Sequence, residues 1–313
     1  MAILSRTSIM VAAARAVGAR ESDPTVRNPD WLAERLIGPG ELELIQEHPV
    51  SKAFGEMQEP AQDFQVAGTA MMMIVRTRYI DEKLERAVRN GATQAVILGA
   101  GLDTRAYRFQ DLLEGKKVFE VDTPTTQEYK KRRLEEVCGP APANLAYVPV
   151  DFNTGNLGNV LRQAGFRHSE KTFFVWEGVC MYVGEQGVRE TLRSVAECAP
   201  GSSLVMDYAA KPVIDLVPER ADLPQFKYLQ NWQEPWVFGV PEGAEESFFQ
   251  ELGLEPVESL PVFGPEAIKR YLKRKDGTIA ILPRGEFQLP VGSGTATGTA
   301  TGGNVSWYSL VEL

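Results

Sequence analysis

The residues that can do chemistry in this chain gather after short apolar runs, and the first is a pair of glycines. Gly99-Ala100-Gly101 follows Ala95-Val96-Ile97-Leu98. A run without polar alternation fits a parallel strand covered on both faces. Glycines placed directly after it let the backbone turn sharply and bring its N–H groups close to a ligand. A second run, Val118-Phe119-Glu120-Val121, ends in Asp122, 23 residues after Gly99. That is near the spacing of about 20 at which an acid grips ribose hydroxyls. Thr104 stands where a dinucleotide fingerprint carries a third Gly or Ala to pack helix against strand. A ribose-binding acid beside such a turn fits S-adenosylmethionine, which has a ribose and an adenine but no pyrophosphate. A lone Gly-x-Gly would be read as an ordinary strand–turn–helix joint; the spaced acid tips the balance towards a cofactor.

Two more acids end apolar runs, Asp151 after Leu145–Val150 and Glu177 after Thr172–Trp176. Consecutive parallel strands end at one edge of a sheet, so Gly99, Asp122, Asp151 and Glu177 are expected to converge on one crevice. Asp151 is suited to the adenine amino group, with Phe152 against the ring. Glu177 is suited to the cofactor's α-ammonium or to offsetting its sulfonium charge. The cofactor carboxylate calls for a guanidinium clamp, with Arg76 first, Arg78 nearby and Arg15 on an N-terminal helix as candidates. Tyr208, after a fifth apolar run, is a candidate contact for the methyl acceptor, though a packed tyrosine fits equally well. Glu120 has no role fixed by its position.

The elements that must position these groups alternate. Residues 1–75 read as helical and punctuated by turns at Asp23-Pro24, Asn28-Pro29 and Gly38-Pro39-Gly40. A helix is expected at about 76–90, where Ile80, Leu84, Ala87 and Val88 form one apolar face. Strands then fall at 95–98, 118–122, 145–150, 172–177 and 203–208, separated by helices that include 156–164 and 185–199. That rhythm predicts right-handed βαβ units and a parallel sheet. Residues 209–245, rich in Pro and aromatics, read as an insertion forming either a satellite core or a pocket wall. A strand near 254–260, a helix near 265–275 and a strand at 307–311 complete the sheet. The Gly/Ser/Thr/Ala-rich stretch 291–303 reads as a mobile loop. The expected divisions are a helical cap at 1–90, a cofactor-binding core at 91–208, a substrate lid at 209–250 and the rest of the sheet at 251–313.

A length of 313 residues is ample for a sizeable core, and 43% hydrophobic with 24% charged residues is the balance of a soluble globular protein. The net charge of −9 argues against non-specific nucleic-acid binding. No apolar run approaches the ~20 residues that span a bilayer. The N-terminal apolar stretch is broken by Arg15 and Arg20, which favours an amphipathic helix over an export signal. A cytoplasmic enzyme is the default. Three cysteines (Cys138, Cys180, Cys198) and two histidines without metal spacing argue against a zinc site.

Taken together, SIMVAAARA (8–16), VILGAGLDTRAYRF (96–109), VFEVD (118–122), VPVDF (148–152) and FFVWEGVCMYV (173–183) resemble the leucine carboxyl methyltransferase family. The likeness extends to the family's bacterial S-adenosylmethionine-dependent O-methyltransferase branch, associated with polyketide and secondary metabolism. The resemblance implies a class I, Rossmann-like α/β fold: seven strands, mostly parallel, the last antiparallel, with helices on both faces. It also implies cofactor roles for Arg76 (carboxylate), Gly99 (methionine part), Asp122 (ribose), Asp151 (adenine) and Glu177 (ammonium); Gly101 and Phe152 join them on the reading of the turn and the ring given above. It is thin over 209–313, which leaves the acceptor open.

Methyl transfer from a sulfonium depends mainly on positioning, with the chemistry stored in the cofactor. A carboxylate acceptor is already ionised at neutral pH, since carboxyl groups titrate near 4, and needs no base. This suits a chain with only His48 and His168. The expected activity is O-methylation of a small-molecule carboxylate, leaving S-adenosylhomocysteine; a phenol or hydroxyl acceptor comes second. A nicotinamide oxidoreductase and a non-catalytic cofactor-binding module are the competing classes, the former disfavoured by Thr104 and by the lack of a Tyr-x-x-x-Lys pair near the fifth strand. No nucleic-acid or membrane partner is expected.

Overall fold

A computed structural model describes residues 4–57, 64–152, 156–216, 224–280 and 308–313. The apolar runs form β1 (Gln94–Leu98), β2 (Lys117–Asp122), β3 (Leu145–Pro149), β4 (Thr172–Trp176) and β5 (Ser203–Ala209), followed by β6 (Glu258–Pro261) and β7 (Tyr308–Glu312). They make one seven-stranded sheet in the order β3-β2-β1-β4-β5-β7-β6. β1 to β5 pair in parallel, and β7 runs antiparallel between β5 and β6. This is the class I, Rossmann-like methyltransferase sheet. Every residue of β1 and β4 is buried, which is why neither strand alternates.

In chain order the helices are α1 (Arg6–Ala19), α2 (Pro39–Leu44), α3 (Pro49–Gly55), α4 (Phe64–Arg89), α5 (Arg105–Arg108), α6 (Pro124–Cys138) and α7 (Leu157–Gln163). They continue with α8 (Glu185–Ala196), α9 (Lys211–Leu216), α10 (Pro224–Asn231), α11 (Glu245–Gln250) and α12 (Pro265–Ala267). α4 begins well before the expected residue 76, because Ala67, Ala70, Met71 and Ile74 carry its buried stripe back a further two turns. Arg76 is therefore mid-helix rather than at a helix start. α1 is not amphipathic: Ile9, Ala12, Ala13, Ala16 and Val17 are buried, since α3 and α4 pack around it.

β6 starts at Glu258 rather than near 254, as Pro256 has no N–H for a ladder. The helix expected at 265–275 is α12 followed by a wider π turn at Ile268–Leu272. The stretch 291–303 and Trp307 lie outside the described residues. Among the described residues, no helix is long and apolar enough to cross a membrane, and no group of acidic, His or Cys side chains could hold a metal ion.

Candidate functional site

The carboxyl ends of β1, β2, β3 and β4 share one edge. Leu98 lies level with Val121 and Trp176, and Asp122 with Pro149. A cavity of about 520 Å³ opens there. Gly99, Gly101, Asp122, Asp151, Phe152, Glu177, Arg76 and Arg15 all line it. Arg78 and Tyr208 do not. Arg78 turns away to donate to the Arg27 carbonyl at 3.1 Å. Of the two readings of Tyr208, the structure shows the packed one: strand alternation sends its neighbour Asp207 towards Arg76 and Tyr208 itself onto Phe249, ring centroids 6.0 Å apart. His48 is buried and caps α3, its Nδ1 accepting from the Val50 N–H. His168 precedes β4 and packs on Phe166, at the opposite end of the strands.

Asp122 shapes the glycine turn. Its Oδ2 accepts from the Gly101 N–H at 2.6 Å and its Oδ1 from the Thr123 N–H at 2.6 Å. Gly99 has φ +64°, and a Cβ there would stand 2.3 Å from a Val179 methyl, so both backbone and space demand glycine. Phe152 leans on Trp176 with ring centroids 6.1 Å apart.

Glu177 is the hub of a buried ion network. Its Oε1 accepts from Arg15 Nη2 at 2.6 Å and Arg76 Nε at 2.7 Å, and its Oε2 from Arg105 Nη1 at 2.6 Å. Burial opposes its ionisation, but the three guanidiniums overcome that and hold its carboxyl well below the usual range. Arg76 Nη1 also donates to Asp207 and to the Tyr308 hydroxyl, each at 3.0 Å. Burial raises the Asp207 carboxyl despite Arg76. Arg105 is held in turn by Asp81 at 2.7 Å and by Asp103.

With two lone pairs per oxygen, Glu177 keeps one acceptor site, on Oε2. Arg15 Nε is buried on the cavity wall without a hydrogen-bond partner. An orphaned guanidinium N–H beside a cavity fits the carboxylate of a bound amino-acid-like group, which makes Arg15 at least as well placed a clamp as Arg76. Glu120, left without a role, lies under the site in a buried pair with Lys130 at 2.7 Å.

The sequence reading missed Asp103, Arg105 and Asp207, which brace Glu177 and Arg76, and Tyr182 and Glu234, which line the cavity. Burial pushes the Tyr182 hydroxyl up to about 12. An acid inside an apolar strand, as in Ser203-Leu204-Val205-Met206-Asp207, was the signal available for Asp207.

Residues 8–196 match the model of the leucine carboxyl methyltransferase family. The chain belongs to that family. A Bacillus subtilis protein named as an S-adenosyl-L-methionine-dependent methyltransferase, YktD, is 33% identical over 217 residues, covering 66% of this chain and 71% of its own. A Mycolicibacterium smegmatis protein with the same kind of name is 36% identical over 206 residues, 64% of this chain and 66% of its own. An O-methyltransferase family protein from Burkholderia thailandensis aligns structurally over 91% of this chain and 72% of its own, with 13% identity and a TM-score of 0.45. This leucine carboxyl methyltransferase family member is an S-adenosylmethionine-dependent methyltransferase, and the orphaned Arg15 N–H and the acids on the cavity wall fit that cofactor.

Proposed function

We propose that the protein makes a methyl ester on a carboxylate of a small, secondary-metabolite-like acceptor, as a cytoplasmic enzyme. The observation that carries this reading is the make-up of the cavity: its described lining holds hydroxyls, carboxylates and arginines but no histidine. Glu234, the acid furthest from the strand ends, has its oxygens taken up by donors from α1. An acceptor already ionised at neutral pH needs no base, whereas a phenol, titrating near 10, needs one.

When bound, S-adenosylmethionine supplies an electrophilic methyl on a sulfonium, and the acceptor oxygen bonds to that methyl as the carbon–sulfur bond breaks. The protein's part is placement. Asp122 accepts from the ribose hydroxyls. Asp151 accepts from the adenine amino group, with Phe152 on the ring. The free N–H of Arg15, with Arg76 beside it, holds the cofactor carboxylate, and the remaining acceptor site of Glu177 takes its ammonium. Gly99 keeps the backbone low enough for the methionine part to pass.

Trideuteromethyl-labelled cofactor with a panel of carboxylic acids and phenols, read by mass spectrometry, tests this. Labelled product that loses its methyl in mild base is an ester and supports the reading. Base-stable label on phenols alone replaces it with ether formation.

A further inference from the structure

Glu234 comes from the part of the chain beyond the family match, yet it closes one side of the cavity. We propose that it is a positioning residue: it holds the wall Gln233–Val237 shut against α1, and its release sets the rate at which cofactor and product exchange. The inference rests on the cavity being the cofactor and acceptor site.

The geometry begins at the end of α10. The Glu234 N–H donates to the Leu229 carbonyl at 2.9 Å and the Gln233 N–H to Gln230 at 3.0 Å, the pattern that ends a helix through one left-handed residue. That residue is Gln233, with φ +60°, where glycine is usual. The turn throws the Glu234 carboxylate onto the first turn of α1, 227 residues away in sequence. It accepts from the Arg6 N–H at 2.8 Å, the Thr7 N–H at 3.1 Å, the Ser5 hydroxyl at 3.1 Å and the Thr7 hydroxyl.

First-turn N–H groups have no partner inside their own helix, and the positive end of the helix favours an anion there. α1 has no acid in its own first turn, so Glu234 supplies the charge from the far side of the cavity. Downstream, the wall is fixed independently: the Val237 and Phe238 N–H groups donate to the Met181 carbonyl at 2.7 and 3.2 Å. The wall is thus held by backbone bonds at Val237, by the Trp236 ring stacked on Tyr308 and by the Glu234 carboxylate. Upstream, α10 is held by the Trp232 ring against His48 and by the Asn231 amide, which donates to Glu47 at 3.0 Å. Swinging the wall outward about Val237 breaks the Glu234 contact, which ties the wall directly to the first turn of α1 through four hydrogen bonds. Ser5 and Thr7 line the cavity from the other side, so breaking the contact opens the cavity itself.

The test is the dissociation of tritiated S-adenosylhomocysteine, chased with unlabelled compound, from the wild type, Glu234→Ala, Thr7→Val and the double variant, with melting temperatures alongside. Glu234→Ala is expected to speed dissociation at least tenfold and to raise acceptor KM more than it changes kcat. Thr7→Val, which keeps the backbone donors, is expected to have a smaller effect, and the double variant to add nothing to Glu234→Ala. A folded Glu234→Ala that releases the nucleoside at the wild-type rate overturns the latch. Should Glu234→Ala fail to fold, an unchanged rate in Thr7→Val does the same. Failure of the wild type to bind the nucleoside overturns instead the reading of the cavity on which the latch rests.

Discussion

Replacing Asp122 by Asn probes the ribose assignment with little change of shape. Each carboxylate oxygen already accepts one backbone N–H at 2.6 Å, from Gly101 and from Thr123; Oδ2 keeps a lone pair for one ribose hydroxyl, and Oδ1 offers another when the Thr123 hydroxyl, 3.3 Å away, turns to Thr126. Whichever way an asparagine amide sits, its NH₂ faces one of those N–H groups, donor against donor, and one ribose hydroxyl loses its acceptor. A hydrogen bond to a charged group contributes about 1.5–3 kcal/mol. Asp122 is half-buried, so one such bond together with the strained turn corresponds to roughly 2–3 kcal/mol in cofactor binding. That is about a 30- to 150-fold rise in Kd. Calorimetry should show the same factor for S-adenosylmethionine and S-adenosylhomocysteine, because the ribose is common to both. A folded Asp122→Asn protein with wild-type Kd for both refutes the assignment. A loss confined to S-adenosylmethionine moves the residue's influence to the sulfonium.

Gly99→Ala should destabilise the protein and abolish cofactor binding, since its Cβ meets Val179 at 2.3 Å at a φ of +64°. Adding Val179→Ala should restore part of the stability in urea titrations, because it removes the clash but not the strained φ. Glu177→Gln takes the charge from beside three buried arginines and should cost about 3–5 kcal/mol of stability, read as a lowered urea midpoint. Burial pushes the Glu120 carboxyl up to about 7 against the pull of Lys130. Between the unfolded value of 4.5 and about 7 the folded chain holds a proton that the unfolded chain releases, so this group's contribution falls as pH rises through that window. The difference in stability between wild type and Glu120→Gln should therefore shrink or change sign from pH 4.5 to 8; a constant difference would exclude the shift. Glu177 and Asp103, held low by arginines, act in the opposite sense, losing their contribution as pH falls below the ordinary carboxylate range.

The parallel strands were legible because burial on both faces leaves an unmistakable pattern: Ala95-Val96-Ile97-Leu98 and Thr172-Phe173-Phe174-Val175-Trp176 have no polar face to hide. The cavity acids were legible for a related reason. A charged residue that ends a buried strand has only the sheet edge to occupy, and parallel pairing brings such edges together. Helix limits were harder to read, since Met71-Met72-Met73 continues the stripe of α4 without a start signal. The sequence leaves Tyr208 open between acceptor contact and packing because its facing depends on strand phase, and Asp207 fixes that phase only once Arg76 is known to lie mid-helix against it.

What sequence spacing does not reach is the partnering of charges across elements. Arg15, Arg76 and Arg105 stand on three different helices and meet only at Glu177. Each, taken singly, looks like a solvated arginine. Burying that many charges is tolerable only as a set, because removing any member strands the others in a low-dielectric interior. The same condition limits what the site can bind. With Glu177 left one acceptor site and Arg15 Nε and Arg105 Nη2 without partners, the network suits a cation and an anion held close together. An amino-acid zwitterion is such a pair. The discrimination expected of this end of the cavity is therefore against ligands that lack the amino-acid moiety, such as 5′-methylthioadenosine, which keeps the adenosine and the sulfur but offers neither charge.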